Sequence, residues 1–98
     1  MPFDQMMPRA FTSLTVRNLV PAESGVYGIS NNREWIYIGE TDNLRGALLT
    51  HLSEPDSSVM QKTPTGFVFE ICDSSRRPSR QDRLILEYEP SFNRRSAR

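Results

Sequence analysis

Two short apolar runs, residues 26–29 and 35–38, stand on either side of the polar stretch Ser30-Asn31-Asn32-Arg33-Glu34. Both runs are rich in β-branched and aromatic residues, and Asn-Asn tolerates the left-handed backbone of a hairpin loop, so the pattern predicts an antiparallel pair. Strict alternation puts Tyr27 on a face with Ile29, and Tyr37 on a face with Trp35 and Gly39. Whether the two phenols meet depends on register, which the pattern leaves open.

Helical spacing follows. From Thr41 or Asp42, either a competent N-cap, the residues Leu44, Ala47, Leu48 and Leu52 form one apolar stripe and predict the first helix. Gly46 inside it costs about 1 kcal/mol relative to alanine, which points to an irregular start or to close packing. Residues 53–65 are rich in Ser, Pro, Asp and Thr apart from Val59-Met60, and predict a linker with one helical turn. Residues 66–72 are largely apolar and β-prone, and predict a strand central to the sheet. After a polar loop at 73–78, Ser79 with Asp82 three positions on has the form of a capping box, and Gln81, Leu84, Ile85 and Tyr88 supply the inward stripe of a last helix that Pro90 ends.

At the other end, residues 11–16 alternate weakly and predict a short strand, and Leu19 to Ser24 breaks regular structure. Residues 1–10 hold three methionines and two prolines without periodicity, and predict a disordered leader. The expected fold is α+β: a small three-stranded, mostly antiparallel sheet, with room for an extra N-terminal strand, flanked by helices over residues 11–93 and followed by a basic tail at 94–98.

A chain of 98 residues with 37% hydrophobic content forms one domain. It has no apolar run of about 18 residues to cross a membrane, and its first residues lack the features of a signal peptide, so a soluble cytoplasmic protein is expected. Cys72, the single cysteine, has no internal disulfide partner and sits in an apolar run, where a thiol acts as a small hydrophobe. Twelve basic residues balance twelve acidic ones, yet seven arginines against three carboxylates fall between residues 74 and 98. That segment reads either as a solvated surface with a basic tail or as a phosphate-contacting patch.

The hairpin carries more than structure. Gly25-Val26-Tyr27 and Ile36-Tyr37-Ile38-Gly39, with nine residues between the tyrosines, are followed by Thr41, Asn43-Leu44, His51, Leu84-Ile85 and Pro90-Ser91-Phe92-Asn93. Over roughly residues 20–93 this resembles the GIY-YIG nuclease domain. Val20-Pro21 leading into Ser24-Gly25-Val26-Tyr27 is most similar to the incision-domain type of bacterial excision-repair nucleases. The resemblance implies phosphodiester cleavage, with a hairpin tyrosine acting near the water, an arginine on the first helix, and a glutamate on a later helix holding one divalent metal.

Tyr27, Tyr37 and Gly39 match that motif, His51 matches a histidine the family often carries, and Asn93 matches its asparagine. The family's arginine position falls on Ala47, and its glutamate, nine residues before Pro90, falls on Gln81. Arg45 lies about 200° around the helix from Ala47, and Asp82 about 100° from Gln81. Neither replaces the missing group directly. No resident metal is expected, with Mg²⁺ or Mn²⁺ required only by an active form.

Three functions follow from these residues. A binding module would use Tyr27, Tyr37, Asn43, Arg45, Arg76, Arg77, Arg80 and Asn93 to hold DNA or RNA without cutting it. A weak or specialised endonuclease would recruit Asp82, Glu40 or a residue of a partner to the metal. A protein-interaction domain would leave the groove vestigial, in keeping with the neutral overall charge. His51 and Asn93 also have structural readings, as a histidine near an apolar stripe and a turn-closing amide, and Trp35 and Phe92 read as core aromatics before base-stacking ones.

Overall fold

The computed structural model describes residues 3, 7–54 and 56–96. In chain order these form β1 (Arg9–Ala10), α1 (Ser13–Leu19), β2 (Gly25–Ser30), β3 (Trp35–Thr41), α2 (Leu44–Leu52), a 3₁₀ turn (Met60–Lys62), β4 (Gly66–Ile71), α3 (Arg77–Tyr88) and α4 (Ser91–Ser96). The class is α+β as expected. The sheet has four strands rather than three, in the order β1-β4-β2-β3 with every pair antiparallel. No helix is long and apolar enough to cross a membrane among the described residues.

Register settles the question of the phenols. Tyr27 pairs with Gly39 and Ile29 with Tyr37, but Ser30 pairs with Trp35, so Ile36 is an extra residue in β3. Such a bulge turns the following side chains over. Tyr37 therefore joins Tyr27, Ile29, Ile36 and Phe67 in the core beneath α1 and α2, while Trp35 packs with Phe3, Val26, Ile38, Val68 and Leu84 on the α3 side. Strict alternation had placed Trp35 and Tyr37 together, and the bulge corrects that.

Three local expectations also change. Thr12 accepts the Thr15 N–H in its side chain and starts α1, so residues 13–16 are helical and not a strand. Asn43 caps α2 in place of Thr41 or Asp42, through Oδ1 to the Gly46 N–H at 3.0 Å. A Cβ on Gly46 would meet that same asparagine at 2.7 Å, which explains a glycine in the first turn. The helix expected from Ser79 is α3, which begins two residues earlier at Arg77 and has no side-chain hydrogen bond from its N-cap, Arg76. A Pro near its start, where no N–H is needed, supplies the stop-and-start signal instead.

Two parts of the expected leader belong to the fold. Phe3 is 2% exposed and packs against both Trp35 and Tyr88, which touch each other at 4.8 Å, and the Tyr88 hydroxyl accepts the Phe3 N–H. Arg9–Ala10 pair with Phe67 and Gly66 at the sheet edge. Periodicity could not reveal either, because one buried ring and a two-residue strand have no period. Residues 1, 2 and 4–6 of that segment, and 97–98 of the expected tail, lie outside the described residues. At the C-terminal end α4 carries the backbone helix on to Ser96.

Candidate functional site

β2, β3 and α2 bring three side chains together. The Tyr27 and Tyr37 rings lie 6.1 Å apart, and the His51 ring sits 5.7 Å from the first and 5.6 Å from the second. Tyr27 Oη and His51 Nε2 are hydrogen-bonded at 2.9 Å. Gly39 forms the floor: a Cβ there would come within 2.7 Å of Tyr27 Cζ and Oη and 2.8 Å of Tyr37 Cε2. The motif glycine is thus required because two phenols converge on it. Phe92, whose ring meets Tyr37 edge-on at 5.6 Å, walls the site from the start of α4.

Burial governs the ionisation of the trio. It raises Tyr27 well above the ordinary tyrosine range, with the neighbouring Tyr37 adding to the effect. Burial likewise raises Tyr37, and Glu40 adds to it while contact with Tyr27 opposes it. His51 is lowered by burial, against a smaller opposing pull from Glu54. Neutral pH therefore leaves two protonated phenols and an uncharged imidazole. In the Nδ1–H tautomer His51 Nε2 accepts the hydrogen bond of the Tyr27 hydroxyl, and in the Nε2–H tautomer it donates to Oη. Only the first leaves a ring nitrogen facing Tyr27 that can take up a proton, and the imidazole then carries the positive charge.

The outer edge of β3 is closed by amides. Asn93 Oδ1 accepts the Ile38 N–H and Asn93 Nδ2 donates to the Ile38 carbonyl, so a side-chain amide pairs with the strand as another strand would. Gln81 Nε2 donates to the same carbonyl at 3.2 Å. Gln81 thereby stands on the strand that carries Tyr37 and Gly39. Ala47 lies one turn before His51 on α2, half-buried against the core that holds Tyr27. Asn93 is 5% exposed, so its backbone-closing contacts are buried ones.

The remaining predicted binding residues are not gathered here. Arg77 Nε meets Glu40 Oε1 at 3.1 Å and its Nη1 donates to Ser24 Oγ, while Arg80 forms a fork on Glu70 at 2.7 and 2.8 Å. Both are structural ion pairs across the α3 face. Arg45 Nε donates to the Val20 carbonyl at 2.8 Å, closing the end of α1, and Asn43 is occupied as the α2 cap. Arg76 is exposed before α3 and Asp82 is exposed on it. Among the described residues no group of three or more His, Cys, Asp or Glu side chains could hold a metal ion. Sequence reasoning missed the part that Phe92 and the Ile38 backbone play; a main-chain acceptor leaves no mark in a residue pattern.

Comparison with solved structures places this geometry in a known setting. The GIY-YIG N-terminal endonuclease domain of UvrC from Thermotoga maritima, bound to its catalytic magnesium, superposes with a TM-score of 0.66 at 25% identity, covering 80% of this chain and 94% of that one. The chain belongs to the GIY-YIG nuclease superfamily. Variants of the UvrC domain with single tyrosine-to-phenylalanine changes, also solved with the divalent cation, match with TM-scores of 0.65 and 0.66. The three tyrosines changed in that series have the same spacing as Tyr27, Tyr37 and His51.

Curated relatives agree. Excinuclease Cho of Salmonella typhi is 33% identical over 82 residues, and that of Escherichia coli K12 is 32% identical over 85, covering 80% and 83% of this chain. The GIY-YIG chain spans 28% of the length of each. No family model matches it.

Proposed function

We propose that this GIY-YIG domain binds nucleic acid through the groove over Tyr27 and Tyr37 and that its nuclease centre is disabled or strongly attenuated. One observation carries the reading. At the position where the family resemblance calls for a metal-holding glutamate, Gln81 presents a neutral amide whose nitrogen donates to Ile38. At the position of the arginine stands the methyl of Ala47.

The chemistry explains the consequence. Phosphodiester cleavage needs charge stabilisation on the five-coordinate phosphorus as well as a proton acceptor. Tyr27 and His51 supply the acceptor and, both being neutral, no stabilising charge. Loss of a catalytic arginine in phosphoryl transfer costs on the order of 10³ to 10⁵ in rate. Mg²⁺ is a hard cation that favours carboxylate oxygen, so the divalent cation of the UvrC domain does not fit this donor set. The candidate substitutes are poorly placed: Glu40 is held by Arg77, and Asp82 is exposed on α3.

DNA is the favoured partner, because the relatives are excinucleases and UvrC, with RNA as the alternative of the same chemistry. The test is incubation of the protein with labelled duplex, nicked and branched DNA in Mg²⁺ and Mn²⁺, beside Tyr37→Phe. A salt-sensitive shift without cutting is expected. Cutting that disappears in Tyr37→Phe would contradict the disabled site, and absence of any shift at low salt would contradict nucleic-acid binding.

A further inference from the structure

A second cleft opens at the end of the sheet where β2 stops and β4 begins. It encloses about 460 Å³ between the hairpin loop at 31–34 and the approach to β4 at Lys62, Thr63 and Thr65. Its walls are fixed before anything binds. Asn31 Nδ2 donates to the Lys62 carbonyl at 2.9 Å, and Asn31 Oδ1 accepts the N–H groups of Arg33 and Glu34 at 2.8 and 2.9 Å. The Thr65 N–H donates to the Ser30 carbonyl at 2.9 Å. One asparagine thus ties both walls together.

Thr63, exposed in the lining, is the left-handed C-cap of the 3₁₀ turn at φ 52°, its N–H donating to the Met60 carbonyl at 3.1 Å. Charge is the feature that points to a ligand: Arg33 and Asn32 are exposed on the rim, and Lys62 reaches Glu34 only loosely at 3.5 Å. The cleft carries two cations against one carboxylate.

Position links it to the phenols. Val59 and Met60 pack into the same core as Tyr27, so the 60–65 segment lies on the Tyr27 and Tyr37 side of the sheet. Glu34, just before β3, lies three positions from Tyr37, at most about 10 Å at the strand rise. That distance equals roughly three nucleotides of a stacked strand.

We propose that the hairpin-tip cleft is a second nucleic-acid contact, in which Arg33 and Lys62 hold a phosphate of the strand that passes over Tyr37, and Asn32 and Thr63 line its path. It rests on the nucleic-acid-binding reading and adds a place where a flanking nucleotide is held. The contact is to phosphate, so DNA and RNA strands are recognised alike.

Fluorescence anisotropy with labelled single-stranded DNA, and RNA of the same sequence, measured against salt for the unaltered protein, Arg33→Gln and Thr63→Gly, tests it. Arg33→Gln is expected to weaken both probes about tenfold and to reduce the salt slope by about one, with an unchanged melting temperature. Thr63→Gly is expected to melt higher and bind more weakly, since it releases strain and removes a lining side chain. Binding by the unaltered protein with neither variant changed in affinity overturns this inference and leaves the proposed function standing. No binding of either probe at low salt overturns both.

Discussion

Tyr27 and His51 share a 2.9 Å hydrogen bond, and burial lowers His51 from its ordinary 6.5. The unfolded chain therefore takes up a proton at His51 before the folded one does as the medium is acidified. This group's contribution to stability is complete above about pH 6.5 and is lost as pH falls through the lowered folded value. Urea unfolding between neutral and mildly acidic pH should show stability falling in the unaltered protein more steeply than in His51→Gln. Parallel curves would show that His51 is not held neutral.

Gly39 faces both phenols, and a methyl there would overlap each of them at 2.7 to 2.8 Å. Gly39→Ala should destabilise the domain by about 1–3 kcal/mol through overpacking and alter the near-ultraviolet tyrosine signal. A variant with unchanged melting and spectrum would mean the floor is looser than the geometry shows.

Asn93 joins the final helix to the sheet through both backbone groups of Ile38. Asn93→Ala leaves a buried N–H and loses one acceptor's partner, a cost of about 1–3 kcal/mol for each unsatisfied group. Asn93→Asp keeps the acceptor but sets a carboxylate against the Ile38 carbonyl, and should be at least as damaging at neutral pH. Denaturant titration of the two variants measures this; a mild effect of both would confine Asn93 to a turn-closing role.

Phe3 sits over Gly28 against Trp35 and Tyr88, with a Cβ at Gly28 only 3.1 Å from the Phe3 and Trp35 rings. Phe3→Ala should cost about 3–5 kcal/mol, and guanidinium unfolding monitored by Trp35 fluorescence reads it directly. A loss below about 1 kcal/mol would return Phe3 to a loosely attached leader, since large losses accompany core cavities.

α2 and α3 were legible because each has an apolar stripe at helical spacing, and the hairpin and β4 because their residues, buried on both faces of the sheet, are apolar and β-prone. The two tyrosines and Gly39 were legible as a motif, and the register then explained why they belong together. What escaped has other causes. The Ile36 bulge comes from pairing across strands and reverses Trp35 without any local signal. α1 was hidden because its single fully buried residue, Val16, makes no stripe. The arginine-rich segment looked like a phosphate patch, but Arg77 and Arg80 are answered by Glu40 and Glu70, which are distant in sequence and adjacent only in the fold.

The central claim, that Ala47 and Gln81 disable an otherwise intact GIY-YIG site, is tested most directly by comparing DNA cleavage rates in Mg²⁺ for the unaltered protein, Tyr37→Phe and the double variant Ala47→Arg/Gln81→Glu. The account predicts no difference between the first two, and a metal-dependent rise for the double variant that is abolished when Tyr37→Phe is added to it. Robust cutting by the unaltered protein, lost in Tyr37→Phe, would contradict it.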